Sequence, residues 1–228
     1  MDMSKFMEIF NPSSIKERIH IIGCGSVGST VAELLARYGL TKITMWDMDV
    51  VEPKNIANQM FFNKHIGMKK TDALTDVICM VNPDAAPDIV QKDKGWHGEK
   101  VKGYVFLAVD NIEIRKQFLK ANEYNPDIKG VFDIRTGAYD AQCRSANWMN
   151  RAQVVNLKES MNFTHEEAAA ANPVSACGII QGLAPTVRAI SLFAVTNFIN
   201  FATGKEELQM LIVADPYHLH NEEIVSAM

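Results

Sequence analysis

Cysteine is sparse in this chain, and its spacing excludes more than its number does. Cys24, Cys79, Cys143 and Cys177 stand far apart, so no CxxC pair exists to supply half of a tetrahedral zinc site. No structural zinc is expected. Long basic runs are also missing: 23 Lys and Arg against 27 Asp and Glu give a net charge of −4. That balance leaves no electrostatic footprint for nucleic acid or for an anionic membrane surface. The longest apolar tract, Ala189 to Ala202, is interrupted by Thr196, Asn197 and Asn200, which argues against a membrane span. The opening MDMSKFMEIFN has no basic start followed by an apolar core, so no secretion signal is read there. A cytoplasmic protein with reduced thiols is the expectation. No internal repeat or low-complexity segment appears.

What is present is enough apolar material, 47% of 228 residues, for one α/β domain over 1–228. The organising stretch runs from Ile19 to Asp49. An apolar run (Ile19, Ile21, Ile22) leads into Gly23, Gly25, Ser26 and Gly28, the glycines at GxGxxG spacing, then an Ala/Leu-rich helical segment and a second apolar run ending at Asp47 and Asp49. This is a strand, a tight phosphate turn, a helix and a strand. The first glycine permits the turn, the second lets a phosphate approach bare backbone, and the third lets the helix pack on the strand. The helix N-terminus would face the anion with free N–H groups. Asp47, 19 residues beyond Gly28, is placed to take a ribose hydroxyl pair.

Elsewhere the pattern predicts a short helix over Met3 to Phe10, a long ordered loop over Val50 to Gly67, and a helix over Lys69 to Met80 ended by Asn82-Pro83. A strand near Asp88 to Gln91 follows, then a solvated charged stretch from Lys92 to Lys102. Val105 to Val109 reads as a buried strand ending in Asp110-Asn111, Ile114 to Asn122 as a helix and Gly130 to Ile134 as a strand. After Thr136 the pattern turns antiparallel in flavour, and His165 to Asn172 suggests a helix or a crossover. A long apolar helix from Ala184 to Phe201 and closing strands at Leu208 to Ala214 and Glu223 to Val225 complete the chain. The fold class expected is α/β, a Rossmann-like, mostly parallel sheet with helices on both faces and antiparallel strands toward the C-terminus.

The ordered series GCGSVGS, ARYGLTKITMWDMDVV, NIANQ, GMKK, Asn82-Pro83, VDNIEIR and CGIIQGLAPTVRAI resembles the ThiF/MoeB/HesA family, the ubiquitin-activating-like adenylyltransferases, over nearly the whole length. The resemblance implies ATP on the Gly-rich turn with Asp47 on its ribose, Asn55, Gln59 and Lys70 near its phosphates, and Asp110 helping to hold Mg²⁺; Asp49, read as binding a hydroxyl, and Asn111 complete the expected nucleotide site. It implies attack by the C-terminal carboxylate of a small ubiquitin-like or sulfur-carrier protein on the α-phosphate, and a homodimer paired through apolar central helices. Cys177 matches the crossover-loop cysteine that in sulfur-carrier systems takes up the activated carboxylate; packing as a small hydrophobe is the alternative.

Each residue has a plainer reading. Lys70 could be a surface lysine, Asp110 the cap of the next helix, Asp49 a cap of the loop, and Arg115 a structural ion-pair partner. Two family cations are absent: Asn58 stands where relatives have a phosphate-binding arginine, and residues 1 to 17 contain no arginine. Either Arg18, Lys69 or Arg135 substitutes, with Arg135 favoured because it follows Asp133 at the carboxyl end of a strand, or the chain is a weak activator. A salt bridge from Arg135 to Asp133 or Asp140 is the competing reading. A non-catalytic nucleotide-binding scaffold and, more distantly, a NAD-dependent oxidoreductase are the other functions compatible with the Gly-rich turn.

Overall fold

Ile19–Ile22 (β1) is buried at every position, as a strand covered on both faces must be, and it sits in the middle of the sheet. The structure is a computed structural model describing residues 1–164, 166–167 and 182–218. From β1 the chain runs through Ser26–Arg37 (α1), Ile43–Trp46 (β2), Lys70–Val81 (α2), Val90–Lys92 (β3), Gly103–Leu107 (β4), Ile112–Asn122 (α3) and Ile128–Thr136 (β5). Ala141–Asn147 (β6), Arg151–Glu159 (α4), Ala184–Ala202 (α5) and Leu211–Ala214 (β7) follow.

The seven strands lie in the order β3-β2-β1-β4-β5-β6-β7. The first five are parallel, and β6 and β7 are antiparallel additions at one edge. The connection from β1 runs to β2 on one side and the connection from β4 runs to β5 on the other, so the crevice at the carboxyl ends of β1 and β4 is a topological switch point. Helices cover both faces. One apolar layer joins α1, α2 and α5 to the sheet, with Phe106 stacked on Phe132 at 5.0 Å and Phe198 edge-on to both. The other joins α3 and α4 through Phe118, Leu119, Val154 and Leu157 to Trp46, Trp96 and Trp148. No helix among the described residues is long and apolar enough to cross a membrane.

Three expectations need correction. Met3 to Phe10 forms consecutive turns rather than a helix, with Phe6 tilted and Phe10 edge-on against Tyr38. Two i→i−4 hydrogen bonds, from the Met7 N–H to the Met3 carbonyl and from the Phe10 N–H to the Phe6 carbonyl, act there beside this nonlocal packing without extending into a continuous helix. The strand expected at Asp88 to Gln91 is β3, begun two residues later because Pro83–Asp88 is a 3₁₀ turn. Helix α4 was not anticipated; Asn150 caps it, accepting from the N–H groups of Ala152 and Gln153. His165, Asn172, Cys177 and Glu223 to Val225 lie outside the described residues.

Candidate active site

The turn after β1 is built as its glycines require. Gly23 has φ +93°, a left-handed backbone that other residues rarely adopt, and a Cβ there would stand 2.7 Å from the Ala108 carbonyl of the neighbouring β4 connection. A Cβ on Gly28 would meet the Gly23 carbonyl at 1.8 Å, so α1 crosses the turn at backbone contact distance. Gly25 faces open space, with nothing within 4 Å of its absent Cβ, and α1 starts there without a side-chain cap. A cradle that a side chain would fill, in front of an uncapped helix N-terminus, fits a phosphate.

Asp47 follows β2 and ties the turn to the next strand. Its Oδ2 accepts from the Cys24 N–H at 2.6 Å and its Oδ1 from the Asp49 N–H at 2.8 Å. Burial pushes the Asp47 carboxyl above its ordinary pKa, against the opposing pull of Lys70 and the two N–H groups. Lys70, at the first position of α2, is 7% exposed, and its Nζ donates to Asp49 Oδ2 at 2.7 Å. Burial acts to lower its pKa, but the carboxylates of Asp47 and Asp49 outweigh that and raise it, so the ammonium stays charged. Lys70 is thus not a solvated surface lysine. Asp49 is its counter-ion, half in solvent.

The loop between β2 and α2 is ordered, as a loop on the ligand edge of such a sheet should be. Val51 and Phe61 are buried, and His65 accepts from the Phe62 N–H at Nδ1 while its Nε2–H donates to Asp76 at 2.9 Å. The Met60 N–H donates to Ser29 Oγ on α1 at 3.1 Å. Asn55 Oδ1 accepts from the Glu52 N–H. The side-chain amide of Asn58 donates to the Gly182 carbonyl at 3.2 Å, and Gln59 Oε1 is buried without a hydrogen-bond partner among the described residues.

Asp110 lies beyond β4, beside the turn across the switch point; it is exposed and makes no hydrogen bond or ion pair with a described residue. It does not cap α3, because Asn111 does, accepting from the Glu113 N–H at 2.8 Å. A single free carboxylate suits Mg²⁺, which is held through one or two carboxylates plus phosphate oxygens and water rather than by an all-protein cage.

The substitute cations are accounted for differently from expectation. Arg135 does lie at the carboxyl edge of β5, yet its Nε donates to Asp133 at 2.6 Å and its two terminal nitrogens to Ser160, so it serves as a structural ion pair and not as a free phosphate cation. Arg115 grips the same Asp133 from α3. Arg18 donates to the carbonyls of Ile43 and Asp88 at the opposite edge, and Lys69 pairs with Asp93. The residue that sequence reasoning passed over is Arg188 on α5. Its guanidinium donates to Thr30 Oγ1 on α1 at 3.0 Å and rests on the Met60 sulfur.

A glycine-rich turn at the switch point of a doubly wound sheet, with an acid closing the second strand, defines an α/β protein of Rossmann-like architecture. The chain belongs to the ThiF family, whose model matches residues 13–226. It is 37% identical over 86 residues to ubiquitin-like modifier-activating enzyme 5 of Arabidopsis thaliana, a match covering 37% of this chain and 20% of that protein. With the tRNA threonylcarbamoyladenosine dehydratase of Haemophilus influenzae it shares 28% over 130 residues, 51% of this chain and 50% of that one. The chain therefore matches half or less of these curated relatives. Among solved structures, E. coli TcdA, a tRNA N6-threonylcarbamoyladenosine dehydratase, superposes with a TM-score of 0.65 at 16% identity, covering 89% of this chain and 94% of that one. E. coli MccB, solved with ATP, gives 0.62 at 16% identity over 88% of this chain and 60% of that one. These structural likenesses are likenesses of fold.

Proposed function

We propose that this chain uses ATP to adenylate the C-terminal carboxylate of a small ubiquitin-like or sulfur-carrier protein, or of a peptide. The observation that carries the reading is the convergence, at one switch point, of an open Gly25 cradle, a buried charged Lys70 and a partner-free Asp110. The relatives support it: one is named for activating a ubiquitin-like modifier, and MccB has been solved with AMPCPP together with MccA.

In this reading the α- and β-phosphates lie on the Gly23–Gly28 turn, Asp47 takes the ribose hydroxyls, and Asn55 and Gln59 reach the phosphates from the loop. Asp110 would help hold Mg²⁺, which supplies charge neutralisation when bound. A carboxylate oxygen attacks the α-phosphorus, the α–β phosphoanhydride bond breaks, and pyrophosphate leaves. Attack of one anion on another needs fixed positive charge, which Lys70 provides after exchanging Asp49 for phosphate. Cys177 is the acceptor cysteine of the proposal by its match to the family's motif, and burial raises the thiol pKa of each described cysteine, Cys24, Cys79 and Cys143. A homodimer belongs to the proposal because α5, though packed inward along one side, leaves Leu192 and Phe193 exposed on the other.

A scaffold that binds nucleotide without turning it over is favoured by one observation: Asn58 is neutral, and Arg135 and Lys69 are spent on carboxylates. ATP–pyrophosphate exchange with candidate carrier proteins separates the two. Exchange that disappears in Lys70→Ala and Asp110→Ala is the result expected of an activating enzyme. A melting-temperature rise with ATP/Mg²⁺ but no exchange with any carrier would establish the scaffold, and a rise with NAD alone would remove both.

A further inference from the structure

The loop over α1 carries the neutral Asn58, and positive charge reaches the same loop from another element, at Met60. Arg188, one turn into α5, lies across the α1 face that leads back to the phosphate turn. Its guanidinium donates to Thr30 Oγ1 at 3.0 Å, and Thr30 Oγ1 donates to the Ser26 carbonyl at 2.8 Å, so two hydrogen bonds separate the cation from the first residue of the helix. The Met60 sulfur supports the other side of the guanidinium, two residues beyond Asn58. Asn58 itself is turned away, donating to Gly182 just before α5.

Two features mark Arg188 as more than a packing residue. It forms no ion pair with any described carboxylate, and the acid that acts on it, Glu33, is already joined to Arg37. Every other cation considered for this role is held by a carboxylate or lies at the far edge of the sheet. A guanidinium satisfied only by a hydroxyl and a thioether keeps donors for a stronger acceptor, and phosphate oxygens are that acceptor.

The geometry points to Arg188 as the cation that binds the terminal phosphates of a nucleoside triphosphate, in place of the arginine missing at position 58. The inference rests on the nucleotide reading above and adds to it a residue from α5. Because Arg188 stands one turn into α5, phosphate bound by it also ties the start of α5 to the loop that carries Asn55 and Gln59.

The test is calorimetric titration of the full chain with ATP/Mg²⁺, AMP and inorganic tripolyphosphate, for wild type, Arg188→Gln and Arg188→Lys. Arg188→Gln should weaken ATP and tripolyphosphate about tenfold, the loss expected of one charge-assisted hydrogen bond, and leave AMP unchanged. Arg188→Lys should recover part of the loss. Equal ATP affinity in wild type and Arg188→Gln would overturn the assignment while leaving the nucleotide site standing. Equal weakening of ATP and AMP would overturn it too, because that is the signature of a structural role. Wild type that binds tripolyphosphate through Arg188 but no nucleotide would uphold the cation and sink the adenylation reading, and wild type that binds none of the three would sink both.

Discussion

His20 should make this protein acid-labile in a window set by one ring. It lies on β1, 7% exposed, with Nδ1 accepting from the Trp46 indole N–H at 3.2 Å and Nε2–H donating to the Lys102 carbonyl at 3.1 Å. A second proton would have to enter at Nδ1, where the indole N–H already points. Burial lowers the His20 pKa from 6.5 to about 4, the Lys102 bond opposing and nearby Arg18 assisting. The folded pKa is below the unfolded one, so the unfolded chain binds more protons between those values. Stability is full above pH 6.5 and falls as pH drops toward 4. Through linkage, at about 1.4 kcal/mol per pKa unit, the loss from this ring is about 3 kcal/mol between pH 7.5 and 4. Urea denaturation of wild type and His20→Gln at those two pH values isolates it, because a glutamine can donate to Lys102 and accept from Trp46 without titrating. The variant should lose about 3 kcal/mol less than wild type. Equal losses in the two proteins would refute the reasoning, and with it the neutral, doubly bonded ring beneath the Trp46-Asp47 end of β2.

Gly28→Ala drives a methyl into the Gly23 carbonyl and should cost about 3 kcal/mol by thermal or urea unfolding, whereas Gly25→Ala meets no atom and should act mainly on ATP affinity; similar destabilisation by both would contradict the packing described. With a maleimide on native protein at pH 7.5, Cys24 and Cys143, the latter with its thiol pushed up to about 12 by burial, should react only on unfolding. Cys177→Ala should remove the fast-labelling thiol while retaining pyrophosphate exchange, and fast labelling that survives the substitution would count against the acceptor role. Phe193→Asp should halve the sedimenting mass at tens of micromolar, and a wild type already monomeric there would end the dimer proposal.

The parts legible in the sequence are those set by neighbours along the chain. The GxGxxG turn, the acid after β2 and the 184–202 helix are local patterns: glycine backbone freedom, strand burial on both faces and a 3.6-residue apolar period. The parts that escaped depend on partners far away. For Arg135 the sequence left a phosphate cation and a salt bridge to Asp133 both open, because nothing near it reveals that Asp133 is entirely buried and already gripped from α3. Arg188 looked like an ordinary arginine in a helix because its contact with Thr30 spans 158 positions. Helix α4 has only Val154 and Leu157 as buried anchors, too little periodicity to announce itself, although its Asn150 cap was readable. The long loop after β2 was read as a functional segment from its place at the carboxyl edge, but its anchoring by buried His65 could not be read without α2 beside it.

The buried charges behind the site explain why two arginines are spent away from phosphate. Asp133 is fully buried on β5 and is joined to Arg115 and Arg135, an arrangement whose desolvation cost offsets much of its Coulombic gain. Arg115 uses its remaining donors on backbone: Nε to the Val109 carbonyl at 2.9 Å, and one terminal nitrogen to the carbonyls of Leu107 at 3.3 Å and Ile134 at 3.0 Å. Those carbonyls belong to the end of β4 and to β5, and the first two bracket Ala108, whose own carbonyl faces Gly23. The Asp133 carboxylate therefore orients Arg115, and Arg115 shapes the Leu107–Asp110 turn that both closes against the phosphate cradle and presents the free carboxylate. Arg135 neutralises the second oxygen of Asp133 so that Arg115 can keep that geometry, and it cannot serve phosphate at the same time. Positive charge for a ligand must then come from elements on the other side of the cradle, which is where Lys70 on α2 and Arg188 on α5 stand.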